Sequence, residues 1–132
     1  MSDLSMEEIA ERHGIRLLLQ FGSTVSGSTH PGSDVDLAVL LDRPTLSFQE
    51  HADLHHDLQS FCPDREVDLV LLNRADPLLL RRIMENFQLL FGSARRLQEL
   101  RIYAFKRYQD HRKYFDLERE FVRRSLDAAP RP

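Results

Sequence analysis

Between positions 15 and 41 two apolar runs flank a loop of small residues, and no other feature limits the possible folds as much. Ile15 to Phe21 ends on Gly22-Ser23; ten residues later Asp34-Val35-Asp36 opens Leu37-Ala38-Val39-Leu40-Leu41. Short apolar runs bounded by Gly, Ser and Pro read as buried strands. Side chains alternate across a strand, so Asp34 and Asp36 share a face, roughly 6.6 Å apart along it. Two carboxylates that close repel unless a cation lies between them. The Gly-Ser turn beside them offers backbone amides to phosphate oxygens. A metal ion with a triphosphate suits this set of groups.

Each residue also has a plainer explanation. Gly-Ser-Asp is ordinary turn chemistry and accounts for Asp34 alone. It does not account for Asp36, which five apolar residues follow and which should be partly buried. A buried Asp without a partner is rare. Asp68 poses the same problem inside Glu66-Val67-Asp68-Leu69-Val70-Leu71-Leu72. Glu66 shares its face but reads as a solvated residue at the strand start. Ser33 reads equally as a turn residue.

Gly22-Ser23, Asp34-x-Asp36 and a later Asp68, each framed by apolar strands, resemble the signature of the nucleotidyltransferase superfamily related to DNA polymerase β. The short chain resembles its minimal branch, the MNT proteins, many of which are antitoxins encoded beside a HEPN-domain toxin. The resemblance covers roughly the first ninety residues. It implies a polymerase-β-like palm. It makes Asp34, Asp36 and Asp68 catalytic ligands of two Mg²⁺ ions, and Gly22, Ser23 and Ser33 contacts for ATP. It also implies AMP transfer to a tyrosine of a HEPN RNase toxin, the partner protein. Relatives often carry arginines after Gly-Ser. Here Thr24 and Ser26 stand there, with Gly27 retained, so a basic contact is missing from its usual place. Arg65, Arg81 and Arg82 are the candidates to replace it.

The remaining sequence predicts an α/β (α+β) domain. Capping-box patterns at Ser5–Glu8 and Ser47–Glu50 open helices ending near Gly14 and Phe61. A third strand spans Glu66 to Leu72, Asp76-Pro77 opens a helix to about Asn86, and Gln88 to Phe91 suits a short edge strand. The loop has room for a short helix after Ser23. These elements make a small mixed sheet of three to four strands flanked by helices, although periodicity alone does not select the topology. A 132-residue chain suits one domain: 1–127, with a core of 1–92, a long helix over 93–126 and a disordered tail at 128–132. In that helix Leu97, Ala104, Tyr108, His111, Phe115 and Val122 form the stripe expected to pack on the domain. Tyr103, Phe105, Tyr114 and Phe121 fall off it and suit a partner interface.

Charge is unevenly spread. Residues 1–92 carry seven Lys/Arg and fifteen Asp/Glu, net −8, and residues 93–126 carry ten and five, net +5. An acidic core argues against direct nucleic-acid binding and against a template-using polymerase. No membrane span and no signal peptide are expected. The lone Cys62 fits a reducing cytoplasm. His51 and His55 share a helix face without a third ligand at matching spacing, so an exposed polar face is expected there. Two other functions compete with toxin AMPylation: a small-molecule nucleotidyltransferase of the aminoglycoside-modifying kind, and an antitoxin acting by contact alone. The first usually needs a further helical domain or a dimer. Three retained, mutually repelling carboxylates argue against the second.

Overall fold

The structure, a computed structural model, describes residues 4–22 and 34–128. The elements in chain order are α1 (Met6–His13), β1 (Ile15–Phe21), β2 (Val35–Leu41), α2 (Phe48–Gln59), β3 (Val67–Leu71), α3 (Pro77–Glu85), β4 (Phe87–Phe91) and α4 (Ala94–Ala128). A 3-10 turn, Leu72–Arg74, follows β3. Both capping boxes form, with Ser5 and Glu8 closing α1 and Ser47 and Glu50 closing α2. Asp76 accepts from Leu79 N–H at 2.9 Å to start α3, ahead of Pro77 at its first position. The short helix expected after Ser23 lies outside the described residues.

The four strands form one mixed sheet in the order β3-β2-β1-β4. β1 is antiparallel to both β2 and β4, while β2 and β3 run parallel. A parallel pair needs a long crossover, and α2 supplies it. One face of the sheet packs Leu18, Leu37, Val39 and Val67 against α1 and α2 through Ile9, Leu54 and Leu58. The other packs Leu17, Leu19 and Ala38 against α3 and α4 through Leu80, Ile83, Leu100 and Ala104. Ile15 breaks the alternation because β1 carries one extra residue, Arg16, between the Ile15–Leu41 and Leu17–Leu40 pairs. A bulge of this kind turns the strand end over, and Ile15 joins the first core.

β3 is shorter than the run from Glu66 to Leu72 predicts. Asn73 explains its end. Its side chain accepts from Leu41 N–H (2.9 Å) and donates to the carbonyls of Leu41 (2.9 Å) and Arg43 (3.2 Å). It takes the place of the next strand residue, so the backbone can turn away at Leu72. At the other end of the strand, two α2 side chains cap the outer edge. Gln59 Oε1 accepts from Val67 N–H at 3.0 Å, and His55 Nε2 donates to the Val67 carbonyl at 2.8 Å. His55 is therefore half-buried against the strand as a structural donor, which corrects the exposed polar face expected of it, while His51 is exposed.

α4 departs from expectation in two ways. It runs through Ala128, past the expected end at 126; residues 129–132 lie outside the described residues. Its apolar stripe also packs over only half its length. Leu100 and Ala104 are buried and Leu97 is half-buried, whereas Phe115 and Val122 are 43% and 48% exposed. A helix of 35 residues is about 52 Å long; Leu78 of α3 still lines a cleft with Phe115 and Arg119, and no side chain from 112 to 126 is buried.

Candidate active site

β1 ends where β2 and β3 begin, so Phe21 and Gly22 meet the starts of two parallel strands. In the register, Asp36 lies between Phe21 on one side and Asp68 on the other. Asp36 alternates with Ala38, and Asp68 with Val70, so both carboxylates lie on the sheet face that carries α3 and α4. There a cleft of about 550 Å³ is lined by Phe21, Gly22, Asp36, Asp68, Val70, Leu79, Arg82, Glu85 and Asn86. The floor is sheet, and the last turn of α3 is the wall.

Gly22 is at φ +82°, a conformation that disfavours a side chain. A Cβ there would overlap Asp36 Oδ2. Glycine thus lets the turn close against the carboxylate. Burial first, then Asp68, then Asp34, push the Asp36 carboxyl above the usual carboxylate range, and Arg82 draws it partly back. Like charges gathered in a partly buried site mark a seat for a cation.

Asp34 stands exposed just before β2 and acts on Asp36 through its charge. Asp68 is also exposed, which corrects the expectation that an Asp inside an apolar strand is buried at a cost. β3 is an edge strand, and α3 and α4 leave its start uncovered. Ser23 and Ser33 lie outside the described residues. Glu66 is exposed, as expected, and its carbonyl accepts from Val35 N–H at 2.9 Å, fixing where β3 begins against β2.

The three candidate arginines separate. Arg81 turns away to pair with Glu85 (3.3 Å) and to stack 4.1 Å over the Tyr108 ring. Arg65 lies in the α2–β3 connection beside Cys62, whose thiol burial pushes up. Arg82 alone reaches the cleft. Sequence reasoning missed Glu85 and Asn86 as lining residues; only their nearness to Arg82 on the same helix end hinted at them.

Among the described residues no three His, Cys, Asp or Glu side chains converge tightly enough to hold a metal ion by themselves. The donors still fit Mg²⁺, because it usually takes one or two carboxylates and completes its shell with water and substrate phosphate.

Replacing Gly22 by Ala tests this geometry. Left-handed backbone costs a non-glycine residue about 1–2 kcal/mol, and the methyl group displaces the Asp36 carboxylate. Gly22→Ala should lower stability by about that amount in urea unfolding and weaken Mn²⁺ binding. Unchanged Mn²⁺ affinity would show that the close turn does not position Asp36.

Comparison with known proteins agrees with this fold. Residues 5–96 match the family described as polymerase beta, nucleotidyltransferase. No curated protein matches. A chain in a crystal structure of a toxin–antitoxin with AMP-PNP is 26% identical, with a TM-score of 0.66 over 93% of this chain and 96% of that one. A mutant MntA–HpeT toxin–antitoxin structure gives 24% identity and a TM-score of 0.69 over 93% of this chain and 96% of that one. A tri-AMPylated Shewanella oneidensis HEPN toxin in complex with MNT antitoxin gives 23% and 0.64, covering 93% of each chain. With the family match spanning most of its length and a fold of the same kind, the chain belongs to the polymerase beta nucleotidyltransferase family.

Proposed function

We propose that this chain is an MNT antitoxin that transfers AMP from ATP to a tyrosine of a cognate HEPN RNase toxin. The observation that carries the reading is the Asp36–Asp68 pair across β2 and β3, facing a cleft that opens at the Gly22 turn. The similar toxin–antitoxin structure with AMP-PNP supports both the nucleotide and the partner. Among the described residues the cleft is walled by the sheet and the last turn of α3, which suits an acceptor brought by another protein. The lone Cys62 supports a cytoplasmic setting. Among the described residues no helix is long and apolar enough to cross a membrane.

Asp34, Asp36 and Asp68 would hold two Mg²⁺ ions, with phosphate oxygens among the remaining ligands. When bound, the metal supplies positive charge at the transferring phosphate and the leaving pyrophosphate. Gly22, Ser23 and Ser33 are assigned to the phosphates. The tyrosine oxygen bonds to the α-phosphorus as the bond to the bridging β-phosphate oxygen breaks, and pyrophosphate leaves. The hydroxyl proton passes to Asp68, whose exposure leaves it open to an incoming acceptor.

The exposed second half of α4 is the assigned toxin contact. Leu117 and Phe121 are 71% and 70% exposed, and Tyr114, Phe115, Val122 and Leu126 widen the apolar arc. On the opposite side Glu120 pairs with Arg123 (2.7 Å) and Arg124 (3.1 Å). An amphipathic helix whose apolar arc stays exposed among the described residues suits a helical partner surface. The basic flank favours acidic residues at the rim of that surface.

Three outcomes test the reading. Mass spectrometry of the co-expressed pair should show AMP on a toxin tyrosine. With Asp68→Asn, transfer should fall by roughly 10²–10⁴-fold while nucleotide binding changes little. Full activity in Asp68→Asn would move the base elsewhere, with Glu66 next to test. Reversing Arg112, Lys113 and Arg119 to Glu should weaken toxin binding and leave Mg-ATP binding intact. Toxin binding unaffected by the reversal would remove α4 from the interface.

A further inference from the structure

The segment between Gly22 and Asp34 contains no lysine or arginine. A triphosphate seated at the Gly22 turn therefore gets no lysine or arginine from that segment, and such a contact has to come from elsewhere in the fold. Among the described residues lining the cleft there is one cation, Arg82, set against Asp36, Asp68 and Glu85. The neighbouring arginine is engaged elsewhere, since Arg81 pairs with Glu85 and stacks on Tyr108. Arg82 makes no ion pair among the described residues. It is exposed, on a helix whose N-terminus is fixed by Asp76 and Pro77 and whose apolar face is locked by Leu80 and Ile83.

We propose that Arg82 is the phosphate-binding cation of this active site, reaching from α3 to the β- and γ-phosphates of the nucleotide. The assignment rests on the nucleotide-transfer reading above and deepens it by naming the group that recognises the triphosphate. Guanidinium matches phosphate oxygens with paired N–H donors and stays charged throughout the working pH range. Its position on a helix opposite the sheet gives the site a discriminating property. The contact reads the phosphate end of the ligand and is indifferent to the base.

Arg82 has two plainer roles that the same experiment separates. A cation in the last turn of α3 suits the helix dipole, and a cation beside Asp36 relieves carboxylate repulsion. Calorimetric titration of the full chain with Mg-ATP, Mg-ADP and adenosine compares wild type with Arg82→Ala and Arg82→Lys, with Mn²⁺ titrated alone in parallel. Arg82→Ala should bind Mg-ATP roughly 10- to 100-fold more weakly, Mg-ADP less affected, and adenosine unchanged. Arg82→Lys should recover part of the loss, since a point charge keeps attraction but not the paired donors. Unchanged Mg-ATP affinity with tighter Mn²⁺ binding would make Arg82 a counterion of the carboxylates and overturn the proposal. Equal loss for ATP and adenosine, or loss of folded signal in both variants, would reduce it to a structural residue of α3. A wild-type chain that binds no Mg-ATP would instead overturn the nucleotidyltransferase reading, and the role of Arg82 with it.

Discussion

The parallel pairing of Asp36 with Asp68 is the constraint on which the rest of the structure depends. It sets two negative charges side by side at the end of a sheet, an arrangement that opposes folding unless the strands are held by other means. They are held at several points. Val35 N–H is bonded to the Glu66 carbonyl, Val67 is fixed by Gln59 and His55, and Asn73 closes the far end of β2. The core beneath supplies the remaining stability, with Val35, Leu37, Val39 and Val67 buried between the sheet and α2. Repulsion at the surface is thus sustained by burial below it, and on the proposed reading a bound cation would reverse its sign.

The same logic explains why the site's supports lie in α2, on the face opposite the chemistry. Gln59 reaches three backbone groups at once: Val67 N–H and the carbonyls of Cys62 and Arg65. It therefore fixes the start of β3 and, through it, the position of Asp68. His13, buried against Asp57 at 2.6 Å, ties α1 to α2 and keeps that helix pair rigid. α3 has the complementary task, presenting Arg82, Glu85 and Asn86 to the cleft.

Local chemistry made much of this legible in the sequence. Ser5–Glu8 and Ser47–Glu50 read as capping boxes and form them, and Asp76-Pro77 starts its helix. The carboxylate pattern pointed to Asp36 and Asp68 because an Asp among apolar residues demands a reason. Long-range geometry was not legible. Asp68 is exposed because β3 lies at the sheet edge, which follows from strand order and not from the run of residues around it. Arg81 and Arg82 differ by one position, about 100° of helix rotation, and only the docking of α3 decides which faces the cleft. The stripe on α4 continues unbroken past Tyr108, so periodicity alone cannot tell where the domain ends and the uncovered helix begins. Arg16 as a bulge left no sequence signal, since an extra residue in a strand reads as one more alternation.

The central claim is the proposal that metal and triphosphate bind together at the Gly22 turn, beside Asp36 and Asp68 with Asp34 nearby. Thermal unfolding with and without Mg-ATP tests it most directly, because a ligand that binds only the folded chain raises its melting temperature by mass action. Wild type should gain on the order of several degrees at ligand about 100-fold above Kd, and Asp34→Asn with Asp36→Asn should lose that gain while remaining folded. A double variant stabilised by Mg-ATP as strongly as wild type would contradict the account.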